Sequence, residues 1–405
     1  MYSKHPLEGN KYIARVGIQA PDLQDDSRPL NVTLVLDASG SMADGNRIDI
    51  ARQAAESIRQ SLRPQDSIAV VHFSDVVLNG LTVRHTSPGD AGILRSIQRL
   101  QPGGATNVQA GLNQGVQLAD DARRRRPDAI NYVILMSDGV ANVDATNPFA
   151  ILETVGDSNN QNPLRLVTIG VGIANYNDYL LEQLAQHGNG WYRYLDNVQQ
   201  AQTTFSEANW LNLAIPFADQ TRAQVSWDPS MVRTWRIVGY ENRVAADVLF
   251  TQDRKEFAEI PSGTATTVFY ELELTDQVFQ RQASTAKFGD IEIRWVEPGS
   301  GASREQYGVV SGHWRQEFDT LGDPLLKLGV VVALAADRYS GLPYSGYVGY
   351  SDVNWELSDL QRRLRLLQGQ LGHLTAYQDF TLILDHMTRF VPPEPPRPSE
   401  SGYSP

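Results

Sequence analysis

Leu34–Met42 read LVLDASGSM. An apolar, β-branched run stops at the carboxylate of Asp37, and hydroxyls follow at Ser39 and Ser41. The run that ends there, NVTLVL at 31–36, has three counterparts: SIAVVHF at 67–73, INYVILM at 130–136 and LRLVTIGVG at 164–172. Longer helix-patterned segments lie among them: Arg47–Leu62, Ala91–Leu100, Val108–Arg125, Asn177–His187 and Val198–Trp210. Near-continuous apolar strands alternating with helices predict an α/β unit, a doubly wound, mostly parallel sheet covered on both faces. VVLNGLTVR at 76–84 reads as an added antiparallel edge strand, and GWYRYL at 190–195 as a further strand.

Outward from this unit the pattern changes. AQVSW, VRTWRIVGY, TTVFYELEL and DIEIRWVE, all beyond Pro216, alternate with period two between Gly, Pro, Asp and Ser breaks. They predict an antiparallel β-sandwich-like domain. KYIARVGIQA at 11–20 alternates too, with Tyr12, Ala14, Val16 and Ile18 on one face. It precedes the α/β unit yet resembles the later strands, so residues 1–28 are expected to join the β-domain. Asp323-Pro324 is a helix start, Asp as N-cap and Pro at the first helical position. A helix over Leu325–Tyr339 should follow, then a second with Leu357, Leu360, Leu364, Leu367, Leu371 and Leu374 on a heptad-type stripe. Packing on its own β-domain accounts for that stripe better than an intermolecular coiled coil, which needs more heptads. The expected division is 29–210 for the α/β domain, 211–320 for the β-domain, 321–390 for a helical segment and 391–405 for a disordered Pro/Ser tail.

Composition excludes several functions. The 405 residues carry a net charge of −12, which argues against nucleic acid, since phosphate contacts need a basic face. RRRR at 123–126 ends a helix before Pro127 and suits the helix dipole as a solvated end. With no cysteine there is no disulfide, thiolate zinc site or cysteine nucleophile. No stretch has the about 20 apolar residues of a membrane helix.

Asp37 ends a strand, and in open α/β sheets ligands bind beyond the carboxyl ends of the strands. Two further turns belong to that edge. QPGGATNVQ delivers Thr106, and LMSDGVAN delivers Asp138. Two carboxylates and three hydroxyls from distant loops thus reach one rim, with no thiolate or imidazole among them. Hard oxygen donors of low total charge select Mg²⁺, Ca²⁺ or Mn²⁺. Gly104, Asn107 and Gly139 belong to the same rim. Asn142 and Asp144 could orient water or hold a second ion, although loop residues of this kind more often satisfy backbone amides.

DASGS, the Thr of GGATN and the Asp of SDG together resemble the metal-ion-dependent adhesion site of von Willebrand factor type A (VWA) domains, over residues 29–210. The resemblance implies Ser39, Ser41 and Thr106 as direct ligands, Asp37 and Asp138 acting largely through water, and a last position for an Asp or Glu of a partner protein. It also implies that the last helix of the domain, Val198–Trp210, could transmit partner binding to the β-domain. The flanks WRIVGYENR, ADVLFTQDRKEFAEI and KYIARVGIQA are similar to those of bacterial YfbK-like proteins. That group is often exported or lipid-anchored at the cell envelope, which tilts the expected location outward; a native start at Met1 would make it cytoplasmic.

The expected function is a non-enzymatic, divalent-metal-dependent protein-binding module for adhesion or scaffolding. The alternative is an intracellular assembly factor serving a separate ATPase, since no G-x-x-x-x-G-K-[ST] loop is present. A hydrolase built on Ser39 or Ser41 lacks a G-x-S-x-G elbow and a histidine placed by a motif. Oligomeric state is open.

Overall fold

The computed structural model describes residues 2–22, 28–139, 141–155, 162–172, 178–239, 260–281, 285–340 and 350–389. The Pro/Ser tail at 391–405 and most of the ADVLFTQDRKEFAEI flank lie outside these residues.

The chain opens with two strands, β1 (Tyr2–Lys4) and β2 (Tyr12–Gln19), before entering the α/β unit. That unit runs β3 (Leu30–Asp37), α1 (Arg47–Ser61), β4 (Ser67–Phe73), β5 (Val83–Thr86), α2 (Ala91–Gln98), α3 (Val108–Arg125) and β6 (Ile130–Ser137). It continues through α4 (Pro148–Val155), β7 (Leu164–Val171), α5 (Asp178–His187), β8 (Tyr192–Leu195), α6 (Val198–Thr204) and α7 (Glu207–Ala214). Its six strands lie in the order β5-β4-β3-β6-β7-β8, all parallel except β5. Every residue of β3, β6 and β7 is buried, the outcome of covering a parallel sheet on both faces. Alternation along β3 divides the core: Leu34 and Leu36 join α1 and α2, while Val35 joins α3 and α5.

Three details depart from the sequence reading. The edge strand is Val83–Thr86, so VVLNGLTVR contributes only its end, with a single bridge between Phe73 and Val77 before it. The helix α4 was not foreseen in the sequence. The helix read over Val198–Trp210 is two helices, and position 210 falls inside α7. The break at Phe205 lets Phe205 and Trp210 both enter the core, edge to face at 6.1 Å.

Beyond α7 come β9 (Pro216–Trp227), β10 (Val232–Val238), β11 (Ile260–Pro261), β12 (Ala265–Leu274), α8 (Asp276–Phe279), β13 (Thr285–Val296) and β14 (Ser303–His313). They form two antiparallel sheets, β1-β2-β12-β10 and β11-β9-β13-β14. The early strand β2 pairs with β12 along its whole length, Tyr12 opposite Leu272 through Gln19 opposite Ala265. The α/β unit is therefore an insertion between two strands of the β-domain. Tyr12, Ala14 and Val16 pack toward the other sheet, while Ile13 faces the helices.

Those helices are α9 (Pro324–Ser340), α10 (Tyr350–Leu366), α11 (Gln368–Leu371) and α12 (Thr375–Arg389). The leucine stripe does not ride one helix: it passes from α10 into α11, and the chain then turns into α12. Leu357, Leu360, Leu364, Leu367 and Leu371 are buried against Ile13, Phe269 and α9, within one core. At the junction of the two units, Arg165 of β7 donates twice to Asp219 of β9, at 2.7 and 2.6 Å, and both side chains are buried.

Candidate metal centre

Three loops meet at the carboxyl end of the sheet, and backbone hydrogen bonds tie them together. Gly103 N donates to Ala38 O at 2.8 Å and Gly40 N to Gly104 O at 3.0 Å. Asn142 N and Val143 N both donate to Thr106 O, and Asn142 Oδ1 accepts from Thr106 N at 2.8 Å. Asn142 thus satisfies a loop amide and clamps two of the three loops. Gly104 has φ +82°, and a Cβ there would lie 2.8 Å from Asp75 Oδ1, so only glycine allows this approach.

The predicted residues arrive as follows. Asp37 is 0% exposed at the end of β3, beside Ser137 at the end of β6. Its Oδ1 accepts from Ser39 N at 2.8 Å and its Oδ2 from the Ser137 hydroxyl at 2.5 Å. The hydroxyls of Ser39 and Ser41 converge to 3.2 Å. Neither these two hydroxyls nor that of Thr106 is spent on a backbone carbonyl among the described residues. Thr106 is buried at the start of α3. Asp138 is 0% exposed and accepts from Arg47 Nη1 at 2.8 Å.

Of the three rim positions, Gly104 is exposed, whereas Asn107 and Gly139 are buried. Asn107 spends its side chain on bonds within the fold. Its Oδ1 caps α3 by accepting from Ala110 N at 2.9 Å, and its Nδ2 donates to Asp144 Oδ2 at 2.6 Å. Two participants were missed in the sequence. Ser137 was readable as the hydroxyl next to Asp138. Arg47 carried a weaker signal: a cation at a helix start opposes the helix dipole, so it has to be held there by something else.

The electrostatics favour a cation. Burial pushes the Asp37 carboxyl up to about 6, with the neighbouring Asp138 charge adding to it and the bonds from Ser137 and Ser39 opposing it. Asp138 has the Arg47 guanidinium as counter-ion, but Asp37 has no cationic partner among the described residues. A buried carboxylate without a counter-charge, next to hydroxyls with spare lone pairs, is a fitting seat for a hard divalent ion.

A second acid–imidazole cluster, His5, Glu8 and Glu271, does not fit a metal. Lys11 sits 2.7 Å from Glu8, Arg236 sits 2.7 Å from Glu271, and Arg338 sits 2.6 Å from Glu8. His5 Nδ1 accepts from Leu7 N and Glu8 N. The cations are already built in, and the cluster ties the N-terminal segment to β10, β12 and α9.

Residues 31–208 match the von Willebrand factor type A domain family. That segment is a VWA domain. Residues 213–358 match the family described as uncharacterized protein YfbK, C-terminal, which spans the β-domain, α9 and part of α10. YfbK of Escherichia coli is 28% identical over 310 residues, covering 72% of this chain and 52% of YfbK. An uncharacterized protein of Synechocystis is 30% identical over 197 residues, 48% of this chain and 44% of the relative. The chain therefore spans about half the length of these relatives. A solved von Willebrand factor type A protein from Catenulispora acidiphila shares the fold, at TM-score 0.56 and 16% identity, over 92% of this chain and 85% of the other. VWA domains often bind a divalent metal ion. Among the described residues, no helix is long and apolar enough to cross a membrane.

Proposed function

We propose that this chain is a non-enzymatic, divalent-metal-dependent protein-binding module, for adhesion or scaffolding. Ser39, Ser41 and Thr106 would supply neutral oxygens to Mg²⁺, Mn²⁺ or Ca²⁺, and Asp37 and Asp138 the negative charge. The bound ion would supply a Lewis-acidic seat for an Asp or Glu side chain of a partner. Neutral hydroxyls leave an ion most of its charge, whereas a shell of direct carboxylates would hold it and repel an acidic ligand. The observation that carries this reading is the buried, counter-charge-free Asp37 beside the paired hydroxyls of Ser39 and Ser41.

A hydrolase finds no support in the same geometry. His72 bonds Ser96, and His187 bonds the carbonyl of Gln183. No histidine is paired with Ser39 or Ser41 among the described residues, as a serine nucleophile would require.

The test is calorimetric titration of metal-stripped protein with Mg²⁺, Mn²⁺ and Ca²⁺, beside Asp37→Ala and Ser39→Ala. Binding by the intact chain that disappears in both variants supports the reading and justifies a metal-dependent capture of partners. Absence of binding by the intact chain, with acetate present, sinks it.

A further inference from the structure

Arg47 occupies a position that helix physics disfavours. It is the first residue of α1, where the dipole repels a cation, and its side chain is only 2% exposed. The guanidinium reaches inward, donating to Asp138 Oδ2 at 2.8 Å and to Ser41 O at 3.0 Å. Gly172, the residue after β7, leaves room for it: its φ is +94°, and a Cβ there would lie 2.3 Å from Arg47 Nε. Three segments are thus built about one cation, which sits behind the cluster of Asp37, Ser39, Ser41 and Asp138.

Charge counting shows what this cation does. Asp37 and Asp138 contribute two negative charges and Arg47 one positive, so the empty cluster sums to one negative charge. A divalent ion turns that sum positive, and an incoming carboxylate is attracted. Without Arg47 the loaded cluster would be neutral, and the attraction would be lost to first order. We propose that Arg47 is a positioning residue that trades metal retention for carboxylate capture: it loosens the site's own hold on the ion and strengthens the ion's hold on an acidic partner. The proposal rests on the metal reading above.

The test uses Mn²⁺ alone and then acetate at saturating Mn²⁺, both followed by calorimetry on the full chain. Arg47→Gln should bind Mn²⁺ at least about tenfold more tightly and acetate at least about tenfold more weakly. That is a lower bound for one unit charge several ångströms away at an effective permittivity of about 20, and the divalent ion feels it more strongly than acetate. A residue with a merely structural role would weaken both. Arg47→Lys keeps the charge and should hold both affinities within about threefold of wild type. Removing Arg47 alone strands the Asp138 carboxylate in the interior, so a second variant covers a failure to fold. In an Asp138→Asn background Arg47→Gln strands no further carboxylate. There, adding Arg47→Gln should again tighten Mn²⁺ and weaken acetate relative to Asp138→Asn alone. Shifts of both affinities in the same direction, in Arg47→Gln relative to wild type or in the double variant relative to Asp138→Asn, overturn the proposal. Wild type that binds no Mn²⁺ overturns the metal reading itself; wild-type binding with Arg47→Gln unchanged overturns only the role of Arg47.

Discussion

Replacing Gly111 by alanine sets helix propensity against packing in α3, the helix that begins just after Thr106. On propensity alone the change favours α3 by about 1 kcal/mol, because glycine loses more backbone freedom on entering a helix. The packing reverses the sign. A Cβ on Gly111 would stand 2.5 Å from Cδ1 and 2.6 Å from Cγ of Phe73. Carbon atoms pack best at about 3.5–4.0 Å, so helix and ring would have to separate by about 1 Å. Phe73 is 0% exposed, and Ser74 next to it accepts from Asn107 N at 2.7 Å, so the ring has little room to retreat. Overpacking of this kind costs about 1–3 kcal/mol, and after the propensity gain a net loss of up to about 2 kcal/mol is expected. Urea denaturation at an unchanged m-value measures it. The displacement also moves the start of α3, so the rise in Tm on adding Mn²⁺ should shrink in the same variant. A Gly111→Ala protein more stable than wild type, with an undiminished Mn²⁺ shift in Tm, refutes the claim that close approach at this point seats the site.

Three further outcomes follow from the buried groups. His72 donates from Nε2 to Ser96, whose hydroxyl is given to Leu81 O, leaving Nδ1 bare and without a partner among the described residues. Burial lowers its pKa to about 4. Its contribution is then complete above the unfolded value of about 6.5 and is lost as pH falls toward 4, by at most about 1.4 kcal/mol per pH unit. His72→Gln should flatten the fall in urea stability between pH 7 and pH 5, and an unaltered slope would count against a neutral His72. Asp219→Leu leaves the Arg165 guanidinium buried without its carboxylate and should cost about 3–5 kcal/mol, most of it recovered when Arg165→Met is added; a double-mutant cycle with no coupling would contradict this. Leu360→Ala, at a fully buried position among the helices, should cost about 2–5 kcal/mol while leaving the Mn²⁺ isotherm unchanged, a separation that thermal melts and calorimetry together would show or deny.

The sequence by itself determined the α/β unit and the period-two strands of the β-domain, and it singled out the five oxygen-bearing residues proposed for the candidate centre. All of these are local signals. An apolar run that stops at Asp37 is legible as a strand end because side-chain periodicity is a property of neighbours. Tertiary structure decided what periodicity cannot carry. Whether Val198–Trp210 is one helix or two depended on Phe205 and Trp210 reaching the same core. The leucine stripe crosses a helix break because a single core, not a single axis, collects those side chains. Arg47 and Asp138 are 91 positions apart, and Arg165 and Asp219 54 apart. Each pairing exists because the fold brings two distant chain segments together and burial makes an unpaired charge too costly to leave there.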